Sequence, residues 1–172
     1  MAAAADLKAT LARIRLAAFD VDGVFTDGRL HYGQDRDGVG ELTKVFHVRD
    51  GHGIKRLRAA GVEVAVISGR SSRIVGARMA ELGIGHVHQG DDDKLPVLER
   101  LLSRLGIAAA DCCYCGDDEP DLAPMAAVGL AVAPADALPR VRAAAALVLA
   151  ARGGHGAVRE LCDALLDARG AP

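Results

Sequence analysis

Two carboxylates stand one residue apart in Phe19-Asp20-Val21-Asp22-Gly23-Val24-Phe25-Thr26-Asp27-Gly28, where an apolar run gives way to glycine. One acid of such a pair can act as a nucleophile while the other gives and takes protons, which is the chemistry needed to cleave a phosphate ester held by a divalent ion. Further along, Ser68 follows the apolar run Val62 to Ile67, and Lys94 opens a helical pattern after Asp91-Asp92-Asp93. Gly116-Asp117-Asp118-Glu119-Pro120-Asp121 follows the short apolar run Cys112 to Cys115. Each is unremarkable alone. A lysine at a helix start is ordinarily solvated, a serine after a strand is ordinarily a turn residue, and acids at a helix start are favoured by the macrodipole. Their joint order, each just past a strand, is the specific signal.

The elements that must position these residues alternate between strand and helix. Segments at Leu16 to Val21, Val62 to Ile67, His86 to His88, Cys112 to Cys115, Gly129 to Val132 and Leu147 to Leu149 read as strands. Helical patterns fill the gaps at about Gly53 to Ala60, Ser72 to Leu82, Lys94 to Leu105, Pro120 to Ala126, Leu138 to Ala144 and Gly156 to Ala168. Gly61, Gly83 and Gly106 stand where helix ends need a left-handed residue, and Pro120 suits a first turn. This alternation predicts an α/β fold, a doubly wound, Rossmann-like parallel sheet whose carboxyl-end crevice holds the ligand. Gly28 to Val48 breaks the pattern. Alternating residues at Leu30-His31-Tyr32 and Leu42-Thr43-Lys44-Val45-Phe46 flank a Gly/Asp-rich turn at Gln34 to Gly40, which predicts a projecting β-hairpin flap too short to be a separate cap domain.

A chain of 172 residues fits one domain, residues 1–172, and can bury a substantial core. A net charge of -2 and aromatic content of 3% without Trp give no basis for binding nucleic acid. Asp6, Lys8, Arg13 and Arg15 interrupt the alanine-rich start, and no apolar run approaches the length of a membrane span, so neither signal peptide nor membrane partner is expected and the default location is cytoplasmic. Four cysteines then read as free thiols. Cys112 and Cys115 form a C-x-x-C, but on a strand they face opposite ways and cannot share a metal. His86 and His88 share a strand face without a third ligand, so no zinc site is expected.

Asp-x-Asp-Gly-Val-x-Thr-Asp-Gly, the serine, the lysine and Gly-Asp-Asp-x-x-Asp together resemble the four motifs of the haloacid dehalogenase superfamily of phosphatases. Phe46-His47-Val48-Arg49-Asp50-Gly51-His52-Gly53-Ile54, Ile67-Ser68-Gly69-Arg70-Ser71-Ser72 and Gly153-Gly154-His155-Gly156-Ala157-Val158-Arg159-Glu160 resemble its small capless subfamily, which includes 3-deoxy-D-manno-octulosonate 8-phosphate phosphatase. The likeness runs from about Leu16 to Leu166. Phe25 stands where a leucine is common, and Glu119-Pro120 fills a variable pair, neither touching a catalytic atom.

The resemblance implies a phosphoric monoester hydrolase of lipopolysaccharide core biosynthesis. Asp20 is then the nucleophile that forms an aspartyl phosphate, and Asp22 the general acid and base. Ser68 and Lys94 would stabilise the transferring phosphoryl group with backbone donors after the strand. Crowded acids facing an anionic substrate demand a hard cation, so Mg2+ is expected on Asp20, Asp117 and the Asp22 carbonyl. Asp121, one helical turn from Asp117, would hold a metal-bound water or orient Lys94, and Asp118 is the other candidate for its place. Arg70 and Arg78, eight apart, would share a helix face and grip the sugar carboxylate beside Gly69. Arg73 is a weaker candidate, as are Arg152 and Arg159 around the loop Gly153 to Gly156, which either flexes or lets the tail reach an adjoining site. With the pocket left open by a small flap, the resemblance implies a homotetramer in which neighbours complete the enclosure. A nine-carbon sugar-acid phosphate or a broad range of sugar phosphates is the alternative substrate. A phospho-accepting receiver module also clusters acids, a hydroxyl residue and a lysine, but it carries its phosphorylated aspartate after a middle strand, downstream of its acidic pair.

Overall fold

The computed structural model describes residues 2–35 and 38–170. Strands β1 (Leu16–Phe19), β4 (Glu63–Ser68), β5 (His86–Gln89), β6 (Cys112–Cys115), β7 (Leu130–Ala133) and β8 (Leu147–Val148) form one sheet, and β2 (His31–Asp35) pairs with β3 (Gly38–Thr43) in a separate antiparallel hairpin. The sheet order is β5-β4-β1-β6-β7-β8 and every pairing is parallel. The chain winds outward from β1 through β4 to β5, then crosses to the other side through β6. The winding therefore reverses between β1 and β6, and a ligand crevice opens beyond the carboxyl ends of these strands.

Both faces of the sheet are covered, which is why its central strands β1, β6 and β7 are apolar throughout rather than alternating. Ala17, Phe19, Val64, Val66, Cys113 and Cys115 face a core shared with helices α1 (Ala2–Arg13), α2 (Val48–Ala59), α3 (Arg73–Glu81) and α7 (Ala157–Ala168). Leu16, Ala18, Ala65, Ile67, Cys112 and Tyr114 face a second core with α4 (Lys94–Leu105), α5 (Leu122–Ala127) and α6 (Pro139–Ala144). Each fully buried Leu, Ile or Val in these layers contributes about 1.5–3 kcal/mol. Cys112 and Cys115 thus lie on opposite faces, and all four cysteines are buried free thiols. His86 meets Glu63 at 3.5 Å, and Arg104 reaches its other ring nitrogen.

Several boundaries differ from the sequence reading. β1 ends at Phe19, not Val21, because the Val21 carbonyl accepts from the amides of Val24, Phe25 and Thr26 and turns the chain out of the sheet. α1 was not expected: it is alanine-rich, and the sequence reading assigned no element there. Through Leu11 it joins the core formed with α7. α2 starts at Val48, five residues before the expected start, capped by His47. Its internal Gly53 disguises it, yet a Cβ there would lie 2.9 Å from Arg159 Cδ, so glycine is what lets α2 and α7 approach. The second hairpin strand runs Gly38–Thr43, leaving Lys44 to Phe46 as a connector back to the body. Arg36 and Asp37, in the expected turn, lie outside the described residues.

Candidate active site

Four strand ends deliver their polar residues to the crevice at the switch point. Asp20 follows β1, and its amide still donates to the Cys115 carbonyl, so the last ladder rung fixes its backbone. Ser68 ends β4, Lys94 opens α4 after β5, and Asp117 stands two residues beyond β6. These side chains line one cleft of about 260 Å³ together with Asp22, Gly69, Arg70 and Asp118. Gly28, Asp92 and Pro120 complete its wall.

The turn after β1 exists to admit Asp117. Gly23 has φ +86°, and a Cβ on it would sit 2.1 Å from Asp117 Oδ2, so both the left-handed backbone and the carboxylate exclude any side chain there. The loop after β8 backs this turn, with the Gly154 amide donating to the Val24 carbonyl at 3.0 Å.

Lys94 is 4% exposed and lies 2.9 Å from Asp20 Oδ1 and 2.7 Å from Asp121 Oδ1. Burial opposes its charge, but the two carboxylates more than offset that and hold its pKa above the ordinary value. Asp121 is wholly buried. Its Oδ1 also accepts from the Tyr114 hydroxyl at 2.9 Å, and its Oδ2 accepts from the amides of Asp117 and Asp118 at 3.0 and 3.2 Å. All of its capacity goes to holding Lys94 and the loop. Asp118 accepts from the Glu119 amide at 2.7 Å and so caps the short helical turn Glu119–Asp121.

Carboxylate oxygens of Asp20, Asp117 and Asp121 lie within 4.8 Å of one another. Burial, then the charge of Asp121, pushes the Asp20 carboxyl up to about 7 despite Lys94. Burial, then Asp20 and Asp121, pushes Asp117 up to about 8. Asp117 Oδ1 is buried with no hydrogen-bond partner among the described residues. An all-oxygen donor set, excess negative charge and an unsatisfied acceptor fit a hard divalent cation, which would restore the ionised forms. With Asp121 already saturated, Asp20 and Asp117 are the carboxylates available to such an ion.

Asp22 lies beside this centre with its Oδ1 2.5 Å from Lys44 Nζ and its Oδ2 3.8 Å from Arg70 Nε. Ser68 Oγ, 3% exposed at the residue level, accepts from the Arg70 amide at 3.3 Å. Four expected substrate contacts are not brought together with these. Arg70 precedes α3, so it shares no helix face with Arg78, which instead pairs with Glu81 at 2.8 Å, stacks 5.9 Å over Phe46 and lines a separate depression with Gly51 and His52. Arg152 turns to Asp136 at 3.2 Å, and Arg159 to Asp163 at 2.6 Å. Arg73 is exposed at the start of α3. Lys44, Glu41 and Tyr114 were not singled out by sequence reasoning, since a buried lysine after a hairpin strand and a strand tyrosine carry no local mark of the site they reach.

The haloacid dehalogenase-like hydrolase family matches residues 84–161. The 3-deoxy-D-manno-octulosonate 8-phosphate phosphatase of Escherichia coli is 46% identical over 166 residues, covering 96% of this chain and 86% of that protein. The chain belongs to the haloacid dehalogenase-like hydrolases. Among solved structures of these hydrolases, the 3-deoxy-D-manno-octulosonate 8-phosphate phosphatase of Moraxella catarrhalis, in complex with magnesium, phosphate and the sugar acid, superposes with TM-score 0.90 at 40% identity, covering 96% of this chain and 92% of that one. The cobalt-bound phosphatase of Haemophilus influenzae superposes with TM-score 0.88 at 45% identity, covering 94% and 92%. Like these phosphatases the chain is a phosphoric monoester hydrolase, which separates it from the receiver reading.

Proposed function

We propose that the chain is a magnesium-dependent phosphomonoesterase that hydrolyses 3-deoxy-D-manno-octulosonate 8-phosphate to the sugar acid and phosphate, as a step in lipopolysaccharide core biosynthesis. The observation that carries the reading is the convergence of Asp20, Ser68, Lys94 and Asp117 on one cleft at the sheet's switch point. The substrate is that of the 3-deoxy-D-manno-octulosonate 8-phosphate phosphatases to which the chain is similar.

In this reading an Asp20 carboxylate oxygen attacks phosphorus, forming an acyl phosphate as the bond to the sugar oxygen breaks. Asp22 delivers its proton to that leaving oxygen, then takes one from the water that attacks phosphorus and releases Asp20 with inorganic phosphate. Lys94 and Ser68 donate to the phosphoryl oxygens, where charge spreads in the transition state. Magnesium, when bound to Asp20, Asp117 and the Asp22 carbonyl, neutralises the charge of the acids and the phosphate. Asp121 positions Lys94. Arg70, at the cleft mouth beside Gly69, is the candidate partner for the sugar carboxylate.

The reading takes residues 1–172 as one phosphatase domain acting in the cytoplasm, in keeping with four buried free thiols. Among the described residues no helix is long and apolar enough to cross a membrane. Exposed Leu30, Tyr32, Val45 and Val48 around the hairpin support association between copies of the chain, taken in this reading as the homotetramer of the subfamily it resembles, which light scattering tests. The substrate is tested by comparing kcat/KM for 3-deoxy-D-manno-octulosonate 8-phosphate with that for a nine-carbon sugar-acid phosphate and for hexose phosphates, with magnesium and after chelation. The eight-carbon substrate should lead by at least about tenfold. Equal values would leave a broad sugar phosphatase.

A further inference from the structure

The hairpin reaches the catalytic cleft through buried charge rather than by covering it. Lys44 leaves β3 with a side chain only 1% exposed, and its Nζ lies 2.5 Å from Asp22 Oδ1 and 2.8 Å from Glu41 Oε1. Burying a lysine that could extend into solvent is costly unless its partners are fixed. They are. Glu41 Oε2 accepts from Ser72 Oγ at 2.6 Å, and Ser72 in turn caps α3 by accepting from the Val75 amide. On the other hairpin strand, the Tyr32 hydroxyl accepts from Arg70 at 2.8 Å. The hairpin is thereby fastened to the segment that follows Ser68, and the buried ammonium of Lys44 is aimed at Asp22.

We propose that Lys44 is a positioning residue for Asp22: by occupying Oδ1, together with the Thr26 hydroxyl at 3.4 Å, it leaves Oδ2 as the oxygen that exchanges a proton with the leaving group and with water. This rests on the proposed role of Asp22 as general acid and base. Thr26 is itself buried, so its donor is fixed, whereas Arg70 stands off Oδ2 at 3.8 Å and leaves it accessible from the cleft. The consequence is a hairpin that sets catalytic rate and not only access: a carboxyl free to rotate would present either oxygen at varying reach, and a misplacement of about 1 Å can cost about a hundredfold.

The test separates proton delivery from general damage by varying the leaving group. An alkyl phosphate such as the sugar-acid phosphate needs its departing oxygen protonated, whereas the phenolate of p-nitrophenyl phosphate departs with little help. Lys44→Met and Lys44→Gln are compared with the unaltered protein and Asp22→Asn on both substrates, with thermal melting measured alongside. Lys44→Gln keeps the polar reach and stands in where Met does not fold. The proposal expects the ratio of alkyl to aryl kcat/KM, which reports the step in which the leaving group departs and excludes the later attack of water, to fall by about tenfold or more in the Lys44 variants, and in the same sense in Asp22→Asn. Equal losses on both substrates, or no loss, in the Lys44 variants while Asp22→Asn retains its selective loss would overturn the positioning role alone. Absence of leaving-group discrimination in Asp22→Asn would overturn the acid assignment, and the role of Lys44 with it.

Discussion

Lys94 Nζ donates to Asp121 Oδ1 at 2.7 Å, and the aspartate that receives it is completely shielded from water. The same ammonium touches Asp20 at 2.9 Å, so the pair converts a buried carboxylate after β6 into a fixed mount for the cation that meets the proposed nucleophile.

Asp121→Asn therefore removes a charge that the lysine needs and places an amide group among the donors from Tyr114, Asp117 and Asp118. We expect a loss of about 2–3 kcal/mol in stability, since buried charged hydrogen bonds are broken. The kcat should fall about 10–100-fold, as for other supporting partners of a catalytic group. Denaturant titration and steady-state kinetics on the same preparation check both. A stable variant with an unaltered rate would show that Lys94 needs no mount.

The three crowded carboxylates predict that magnesium stabilises the fold. Binding at one site raises stability by RT ln(1 + [L]/Kd), about 2.7 kcal/mol at a hundred times Kd. Magnesium should raise the melting temperature, and a chelator should reverse this. Asp117→Asn should lose most of the magnesium-dependent shift while melting at least as high without the ion, because it relieves repulsion with Asp20 and Asp121. The opposite order of melting temperatures would contradict the placement of the ion on Asp117.

Asp50 offers a pH dependence away from the cleft. It is 1% exposed, its Oδ1 accepts from the Arg159 amide at 2.9 Å, and its Oδ2 has no partner among the described residues. Burial raises its pKa above 3.8, outweighing the Arg159 amide and the nearby cations. The native state then holds this proton more tightly than the unfolded chain does. Its share of stability is greatest below the unfolded value and declines as pH rises through the window between the unfolded and folded values. Asp50→Asn, which does not titrate, should gain on the unaltered protein as pH rises from about 3.5 to 7. Urea titrations at the two ends of that range measure the difference. A constant difference would mean that Asp50 titrates normally.

The sheet and the polar residues at its strand ends were legible because each depends on a local pattern. Leu16 to Phe19, Val64 to Ile67 and Cys112 to Cys115 are apolar on both faces, and a polar residue follows each within two positions, so the sheet order explains why Asp20, Ser68 and Asp117 meet. What was not legible depends on distance. Lys44 meets Asp22 across a separation of 22 positions that includes the hairpin, and no periodicity states where a connector folds back. Arg78 was misplaced because a shared helix face with Arg70 requires both to be helical, and α3 begins only at Arg73, after the Ser72 cap. Gly53 hid the first turns of α2 because glycine is unfavourable in a helix interior unless close packing requires it, as α7 does here.

The account's central claim is covalent: Asp20 carries the phosphoryl group during turnover. Rapid acid quenching of the enzyme with excess sugar-acid phosphate and magnesium, followed by peptide mass spectrometry, should place a hydroxylamine-labile phosphoryl group on Asp20. Asp20→Asn should show neither that adduct nor turnover while keeping its fold. A phosphoryl group on another residue, or hydrolysis at the original rate by Asp20→Asn, would contradict the account.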